Sequence, residues 1–310
     1  MAYDLSELNL KTVSDPAELI AQADEGYRKK VEKAADLIIK NMDKSPIVLL
    51  SGPSGSGKTT TSMKISEALE RKGVRSHYVA MDDYFITVGP DTTPRTETGE
   101  YDLESPLCLD MDLLNTHFDQ LAEGKRIYVP KYEFSRQMRV QEPSKSIKLR
   151  ENEVVIFEGI HALNDMVTNR HTDAFKLYVS ARSQVEFNGK VVFKNTWFRL
   201  VRRTVRDYLF RGTDPQGTIS MWANVRRGEK NYISPYKDKA NYQFDTSLAY
   251  ELPVYNHTAT KLFSAIPDGI ERYDELRQVL PALQLFGDID ESLVPEDSLI
   301  REFIGGGIYD

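Results

Sequence analysis

The sequence feature that most constrains the fold is residues 52–59, which read GPSGSGKT and match the pattern G-x-x-x-x-G-K-[ST] at every fixed position. An apolar run at 47–50 precedes this stretch, and residues 60–70 follow it with apolar side chains at helical spacing. Strand, glycine-rich loop and helix therefore occur in the order that a phosphate-binding loop requires. A plain glycine- and serine-rich turn is the alternative, and the flanking elements argue against it.

Each residue of the loop has a chemical role that follows from its type. The glycines let backbone N–H groups turn toward a phosphate, and the start of the following helix adds partial positive charge. Lys58 would reach the β- and γ-phosphates of a nucleotide, and the Thr59 hydroxyl would hold Mg²⁺. The predicted nucleotide-binding residues are Gly52, Ser54, Gly55, Ser56, Gly57, Lys58, Thr59 and Thr60.

Composition limits the classes of protein that this chain can be. With 310 residues, 40% of them hydrophobic, it can bury a substantial core as one large or two modest domains. A net charge of −7 argues against broad binding of nucleic acid, and the lone Cys108 excludes an internal disulfide. Neither a signal peptide nor an apolar run of roughly 20 residues is recognisable. We therefore expect a soluble, cytoplasmic protein with no membrane partner, and leave a homo-oligomer open.

Hydrophobic periodicity predicts alternating helices and strands. Asp15 and Pro16 have the residue types of a helix N-cap and first residue, and predict a helix over 16–41. Strands are predicted at 47–50, 77–80, 154–158, 175–180 and 242–246, and further helices at 113–123, 250–265 and 270–286. Residues 1–14 carry no clear pattern, and 86–101 are predicted to form a long loop. The economical division is a helical extension over 1–45, one domain over 46–265, and a C-terminal helix and tail over 266–310.

Acidic residues follow two of the predicted strands. Asp82 and Asp83 come directly after the strand at 77–80, and Glu158 ends the strand at 154–158. In open α/β sheets, ligands bind beyond the carboxyl ends of the strands. A carboxylate at 82 or 83 could accept a proton from a hydroxyl nucleophile or help to hold a metal, and an acidic turn is the alternative. Glu158 is placed to reach the Mg²⁺ shell directly or through water.

The charge reverses over residues 199–227. Seven arginines stand there against only Asp207 and Asp214: Arg199, Arg202, Arg203, Arg206, Arg211, Arg226 and Arg227. Spacings of three and four residues place several of them along one side of a helix. Guanidinium groups match phosphate geometry, so this segment is predicted to be a lid over a transferring phosphoryl group. A surface helix held by ion pairs is the alternative.

Residues 131–139 interleave aromatic and basic side chains, from Lys131 and Tyr132 to Arg139. This mixture suits a pocket for the molecule that accepts a phosphoryl group. Paired strands with alternating faces would give a similar pattern, so the sequence leaves both interpretations open.

An ordered set of motifs resembles one family. The stretches concerned are 51–60, Met81 to Phe85, Tyr101-Asp102, Pro130 to Arg139, Phe157 to Ile160, and Arg199 to Gly212. Together they resemble the uridine kinase/phosphoribulokinase branch of the P-loop kinases over roughly 46–265, and the stretches 221–229 and 298–305 are similar to bacterial uridine kinase-like nucleoside kinases. The resemblance implies an α/β P-loop NTPase fold, with a mostly parallel central sheet flanked by helices, an arginine-rich lid at about 199–227, and helical extensions at both ends. It also implies ATP and Mg²⁺ as cofactors.

The resemblance assigns roles to individual residues. Asp82 would be the base on the acceptor hydroxyl, Asp102 and Tyr132 would contact the acceptor's sugar, and Arg206 and Arg211 would be lid arginines, so that Asp82, Lys58, Arg206 and Arg211 form the predicted catalytic set. The predicted substrate-binding residues are Asp83, Asp102, Tyr132, Gln137, Arg139 and Arg203, and the predicted metal ligands are Thr59, Glu158 and Asp82. Two positions depart from the family. Gln137 stands where uridine kinases carry the histidine that reads the pyrimidine, and Thr213 replaces a second arginine after the lid's Arg-Gly pair.

The favoured function is an ATP-dependent small-molecule kinase that phosphorylates a hydroxyl, most readily the 5′-hydroxyl of a nucleoside. Both departures fall on base recognition, so the resemblance supports a kinase more strongly than a uridine-specific one. Arg136 and Arg139 could instead hold an acceptor that is already phosphorylated, as in a sugar-phosphate kinase, and a pantothenate-type kinase is a further alternative. A regulatory GTPase is opposed by the absence of an Asn-Lys-x-Asp motif. Besides a kinase and a GTPase, a third class of function remains open, which is a nucleotide-binding protein without turnover.

Overall fold

The computed structural model of the chain describes residues 2–267, 269 and 275–309. The strands, in chain order, are β1 (Ala2–Asp4), β2 (Ile47–Ser51), β3 (Arg75–Ala80), β4 (Ile127–Glu133), β5 (Met138–Ile147), β6 (Glu153–Glu158), β7 (Phe175–Ser180), β8 (Gln184–Phe187), β9 (Lys190–Phe193) and β10 (Tyr242–Asp245). The α-helices are α1 (Leu5–Ser14), α2 (Pro16–Asn41), α3 (Lys58–Arg71), α4 (Met111–Ala122), α5 (Asp165–Thr168), α6 (Asn195–Phe210), α7 (Pro215–Gly228), α8 (Glu251–Ser264), α9 (Leu276–Leu283) and α10 (Arg301–Ile304).

A five-stranded parallel sheet, in the order β10-β7-β2-β6-β3, forms the centre of the fold. Every residue of β2, β6 and β7 is buried, as their apolar sequences predicted for strands covered on both faces. The register pairs Glu158 with Leu50 on one side and with Ala80 on the other. The ends of β2, β6 and β3 therefore meet at one edge, and the prediction of a mostly parallel α/β sheet is confirmed.

Helix α2 has the predicted bounds and packs along α3. The side chain of Asp15 accepts a hydrogen bond from the Glu18 N–H at 3.0 Å, which caps the helix as its residue type indicated. Farther along, the Tyr27 and Thr61 hydroxyls share a buried hydrogen bond of 2.8 Å. The N-terminal extension is thus bonded directly to the helix that follows the glycine-rich loop.

A second, three-stranded sheet in the order β1-β8-β9 was not predicted from the sequence. Strand β1 pairs in parallel with β8, and residues 5–14, which carried no clear pattern, form α1. Strands β8 and β9 form a hairpin whose turn residues Asn188 and Gly189 have φ values of +50° and +73°. An Asn-Gly pair between short apolar runs favours such a turn, so this hairpin had a signal in the sequence.

The segment 127–147 is an antiparallel hairpin of β4 and β5, with Tyr132 opposite Arg139. Paired strands are therefore the cause of its alternating pattern.

The helix predicted over 250–265 corresponds to α8. Of the helix predicted over 270–286, residues 270–274 lie outside the described residues, and α9 spans Leu276–Leu283. Within the described part of the chain, no helix combines the length and the apolar character needed to cross a bilayer.

A buried ion pair joins α6 to α8. The Arg202 guanidinium donates to both carboxylate oxygens of Glu251, at 2.6 and 2.9 Å, and neither side chain has any exposed surface. The same guanidinium donates to the carbonyl oxygens of Gly55 at 3.3 Å and of Thr246 at 2.8 Å. One side chain thus connects α6, the glycine-rich loop, the end of β10 and the start of α8.

We expect Arg202→Met to lower the free energy of unfolding by about 3–5 kcal/mol, because Glu251 would keep a buried charge without its partner. Urea-induced unfolding followed by circular dichroism measures this loss. Adding Glu251→Leu to the same chain should restore part of it, because the unpaired charge is then removed as well.

The matched control is Arg28→Met, which breaks an exposed pair with Glu25 whose Nε–Oε2 distance is 2.9 Å. The Arg28 side chain is 65% exposed, and such pairs contribute at most about 1 kcal/mol. Equal effects of the two arginine substitutions would show that the buried pair does not stabilise the fold.

Candidate active site

The glycine-rich loop joins β2 to α3 and is packed too closely for side chains at two of its glycines. A Cβ atom at Gly52 would lie 2.0 Å from the Val179 carbonyl oxygen. Gly55 has a φ of +73°, and a Cβ there would lie 2.9 Å from the Arg199 carbonyl oxygen. These positions require glycine, so the loop can run directly between β7 and α6.

Three arginines of α6 hold this loop from the side of the helix. Arg199 donates to the Ser54 carbonyl at 3.2 Å, and Arg203 donates to the Ser54 hydroxyl at 2.9 Å. Arg202 reaches the Gly55 carbonyl, as described above. These bonds engage loop oxygens, so the loop conformation is fixed before any ligand binds.

A cavity of about 580 Å³, which we call the phosphate cavity, opens beside the loop. It brings together most of the predicted nucleotide-binding and catalytic residues. It is lined by residues 54–59 of the loop and helix α3, with Asp82, Glu158, Ile160, Arg206, Phe210, Arg211 and Glu302. Gly52 and Thr60 do not line it. The former packs against β7, and the Thr60 hydroxyl and N–H are both hydrogen-bonded to Glu302.

Side chains of opposite charge meet where this cavity borders the carboxyl ends of the strands. The Lys58 ammonium lies 3.6 Å from the Glu158 carboxylate, which also accepts a hydrogen bond of 3.0 Å from the Tyr78 hydroxyl. The side chain of Asp82 is exposed to this cavity. Partial desolvation by the surrounding protein and the charge of Glu158 raise the pKa of Asp82 to about 6, and Lys58 opposes the rise.

The structure separates the two adjacent aspartates, which share a 3₁₀ turn at Met81–Tyr84. Asp82 faces the phosphate cavity, where Lys58 and Glu158 lie. Asp83 faces the β4–β5 hairpin instead, and its carboxylate is 3.5 Å from the Tyr132 backbone nitrogen. The sequence could not distinguish the two aspartates, because they are the same residue type at adjacent positions. Only the conformation of the turn decides which way each side chain points.

One buried carboxylate gathers three arginines at the mouth of the cavity. Asp207, which is 2% exposed, accepts from Arg206 at 2.8 and 3.0 Å and lies 3.2 Å from Arg203 and 3.6 Å from Arg211. Three positive charges share one negative charge, so the group retains a net positive charge. Such a group attracts phosphate.

A second cluster of polar residues lies at Asp102, which is buried. It accepts hydrogen bonds from the Tyr232 hydroxyl at 2.8 Å and from Arg227 at 3.2 Å. Burial raises the pKa of the neighbouring Glu104 to about 7, with Asp102 acting in the same direction and Arg203 opposing it. Sequence reasoning gave no role to Tyr232 or Glu104, because nothing local marks them.

The remaining predicted substrate residues lie on the β4–β5 hairpin, outside the phosphate cavity. Tyr132 is buried against Phe85 and Phe134, with ring centroids 5.6 and 5.1 Å away. Gln137 is exposed in the hairpin turn, at a φ of +51°. The Arg139 guanidinium is already bonded, to Asp110 at 2.7 Å and to a backbone carbonyl at 2.8 Å.

The oxygen atoms predicted to hold a metal share the phosphate cavity. The carboxylates of Asp82 and Glu158 and the hydroxyl of Thr59 all line it, and such hard oxygen donors fit Mg²⁺. Among the described residues, no group of three or more His, Cys, Asp and Glu side chains could hold a metal by itself. A Mg²⁺ ion in this cavity would have to take further ligands from water and phosphate.

Residues 47–249 match the model of the phosphoribulokinase / uridine kinase family. The chain belongs to this family. The match covers the central sheet, the glycine-rich loop and helices α3 to α7, so the resemblance stated from the motifs is confirmed.

Curated members of the family are similar at moderate identity. A uridine kinase of Saccharomyces cerevisiae is 31% identical over 221 residues, which are 70% of this chain and 40% of the yeast protein. A uridine kinase of Staphylococcus epidermidis is 30% identical over 201 residues, which are 64% of this chain and 87% of that protein. The alignment thus spans less than half of the yeast relative and most of the bacterial one.

A solved structure shows the same fold. A Silicibacter protein described as a fructose transport system kinase superposes with a TM-score of 0.51 at 17% identity, covering 66% of this chain and 95% of that one. The fold is therefore shared with that protein, and with the family match it confirms the predicted α/β P-loop fold.

The raised pKa of Asp82 gives a test in the metal-free protein. Its carboxyl should ionise near pH 6, so the fraction able to accept a proton falls as the pH falls through that value. Lys58→Met should raise this pKa and Glu158→Gln should lower it, because they remove opposite charges. The ¹³C chemical shift of the carboxyl carbon, assigned with Asp82→Asn, measures each value. Shifts of the same sign in both variants would contradict the charge arrangement described here.

Proposed function

We propose that this protein is an ATP-dependent small-molecule kinase that transfers the γ-phosphoryl group to a hydroxyl, with the 5′-hydroxyl of a nucleoside as the favoured acceptor. The observation that carries the proposal is the meeting of Asp82, Lys58 and Glu158 beside the glycine-rich loop in one cavity. Membership of the phosphoribulokinase / uridine kinase family supports it.

The residues of the cavity divide the chemical work. Loop N–H groups and Lys58 bind the phosphates, and Asp82 accepts the proton of the acceptor hydroxyl. The hydroxyl oxygen then forms the new bond to the γ-phosphorus as the bond to the β-phosphate oxygen breaks, and ADP leaves. Thr59, Glu158 and Asp82 would hold Mg²⁺, which neutralises phosphate charge when bound. In the metal-free protein the raised pKa makes Asp82 a stronger proton acceptor than an ordinary aspartate, and a bound Mg²⁺ would lower that pKa.

The lid that we propose is shorter than residues 199–227. Arg199, Leu200 and Val205 are buried in the core, so this part of α6 belongs to the body of the fold. Tyr208 and Phe210, by contrast, are 50% and 57% exposed at the end of that helix. We place the moving part near 208–217, where Arg211 can leave Asp207 and approach the phosphates, excluding water as it closes.

The acceptor site is proposed beside Asp102 and the hairpin. Asp102 can accept hydrogen bonds from sugar hydroxyls, and the rings of Phe85, Tyr132 and Phe134 offer apolar surface for a base. Gln137 retains a donor and an acceptor for a base edge, because its amide carries both. Thr213 cannot replace the forked contact of an arginine, so we expect a base preference that differs from that of a uridine kinase.

A sugar-phosphate kinase is the alternative within the fold, and the contacts of two arginines weigh against it. Arg139 is engaged with Asp110 and the Tyr84 carbonyl, and Arg136 lies at the exposed turn beside Glu133, 3.3 Å away. Binding a second phosphate there would require breaking these contacts. Pantothenate-type acceptors and a protein without turnover remain outcomes of the test.

The test is an ATP-coupled screen of pyrimidine and purine nucleosides, pantothenate, and pentose and hexose phosphates, with the product identified by mass spectrometry. We expect ATP consumption to depend on an added nucleoside, and more than one base to be accepted. Turnover of sugar phosphates without any nucleoside would overturn the nucleoside assignment alone. ATP consumption that no acceptor stimulates would overturn the kinase.

The base is tested by comparing Asp82→Asn with Asp83→Asn at saturating ATP and acceptor. We expect Asp82→Asn to lower kcat by about 10²–10⁴-fold, the usual contribution of a general base. Asp83→Asn should retain most of kcat, because its side chain faces the hairpin. A larger loss for Asp83→Asn would exchange the two roles.

A further inference from the structure

The C-terminal tail reaches into the phosphate cavity and bonds to the start of helix α3. The Glu302 carboxylate accepts hydrogen bonds from the Thr60 backbone N–H at 3.1 Å and from the Thr60 hydroxyl at 2.7 Å, both through Oε2. Glu302 also lines the cavity that contains Lys58 and Asp82. A carboxylate of this chain thus occupies an N–H group of the loop-to-helix junction.

Apolar packing holds this carboxylate in place. Leu299, Ile300 and Phe303 are buried around it, and the Phe303 ring lies 5.2 Å from the Arg202 guanidinium carbon. Leu299 contacts the loop itself, since a Cβ at Gly57 would lie 2.6 Å from its Cδ1 atom. The packing of the neighbouring apolar side chains therefore fixes the position of Glu302.

The N–H group that Glu302 occupies belongs to the set that phosphate needs. The first N–H groups of a helix have no partner within the helix, and in a phosphate-binding loop they surround the α- and β-phosphates of a nucleotide. Thr60 is the third residue of α3. Two anions cannot share one N–H group at this distance without strong repulsion.

We propose that Glu302 is an internal anion that competes with phosphate for Thr60 and must be displaced when a nucleotide binds, so that this residue sets nucleotide affinity. The inference rests on the nucleotide site of the proposed function. Binding is an exchange of one anion for another. The nucleotide gains the N–H and hydroxyl of Thr60 only after they have been released by the tail.

The tail also contacts the segment proposed to move. A Cβ at Gly305 would lie 2.6 Å from the tip of the Phe210 ring, so the chain after α10 is packed against the end of α6. Displacement of Glu302 would disturb this contact. Nucleotide binding would then affect the conformation of the lid in two ways, through the contact between the tail and Phe210 and through Arg211.

A purely structural role for Glu302 predicts a different result. A carboxylate at a helix N-terminus stabilises the helix, and its removal would then lower stability without any gain in phosphate binding. Under the exchange, removal lowers stability and at the same time tightens phosphate binding. The two roles therefore differ in the sign of the change in affinity.

The experiment measures binding of inorganic tripolyphosphate and of MgADP by isothermal titration calorimetry. We compare the full chain with Glu302→Ala, which frees Thr60, and with Glu302→Gln, which keeps the shape and removes the charge. The control is Glu296→Ala, which removes the same charge from an exposed position in the same tail.

We expect Glu302→Ala to bind both ligands at least about tenfold more tightly than the full chain, since a charge-assisted hydrogen bond no longer competes. Glu302→Gln should show a smaller gain, and Glu296→Ala should bind as the full chain does. If Glu302→Ala fails to fold, a gain in Glu302→Gln over Glu296→Ala carries the same conclusion.

Unchanged or weaker binding in the Glu302 variants, including no binding by any of the proteins, overturns the exchange. The kinase assay of the full chain keeps this result separate from the proposed function. Acceptor-dependent turnover with unchanged affinity in the variants removes the exchange and leaves the kinase. Tighter phosphate binding in a protein without turnover removes the kinase and leaves the exchange.

Discussion

The buried pair of Arg202 and Glu251 is the interaction on which the phosphate site depends. Its guanidinium has no exposed surface and bonds to the start of α8, the end of β10 and the Gly55 carbonyl of the loop. A buried charge is stable only when hydrogen-bond and ion-pair partners surround it. Helix α6, helix α8, the end of β10 and the glycine-rich loop must therefore assemble together. The tertiary fold therefore holds the loop in its conformation.

The arginines of residues 199–227 fall into two groups that the sequence does not distinguish. Arg199 and Arg202 point into the protein, where Glu229 and Glu251 neutralise them at 2.7 and 2.6 Å. Arg203, Arg206 and Arg211 gather instead on Asp207 at the cavity. The ion-pair interpretation therefore holds for Arg199 and Arg202, and the phosphate lid remains our proposal for the arginines around Asp207. Arg199 and Arg202 bond to the loop, and the proposed lid lies at the exposed end of the helix.

Both extensions of the family domain contact the helix that follows the glycine-rich loop. Tyr27 of α2 bonds to Thr61 of α3, and the Tyr250 hydroxyl links Asp24 near the N-terminus to Ser298 in the tail, at 2.7 and 2.6 Å. The extensions are thus integrated with the helix that begins at Lys58. This arrangement brings Glu302 of the tail to Thr60, 242 positions away along the chain, and the exchange proposed above depends on that contact.

The sequence by itself determined the elements and the chemistry that local patterns encode. The loop at 52–59, the buried strands, helix α2 with its cap and the acids at the strand ends all follow from residue type and spacing, because neighbouring residues decide backbone conformation and burial. Tertiary structure alone decided the partners. The pairing of β1 with β8, the glutamates opposite Arg199 and Arg202, the separation of Asp82 from Asp83 and the contact of Glu302 with Thr60 depend on where the chain returns in space. Periodicity states which face of an element is buried, but not which distant side chain meets it.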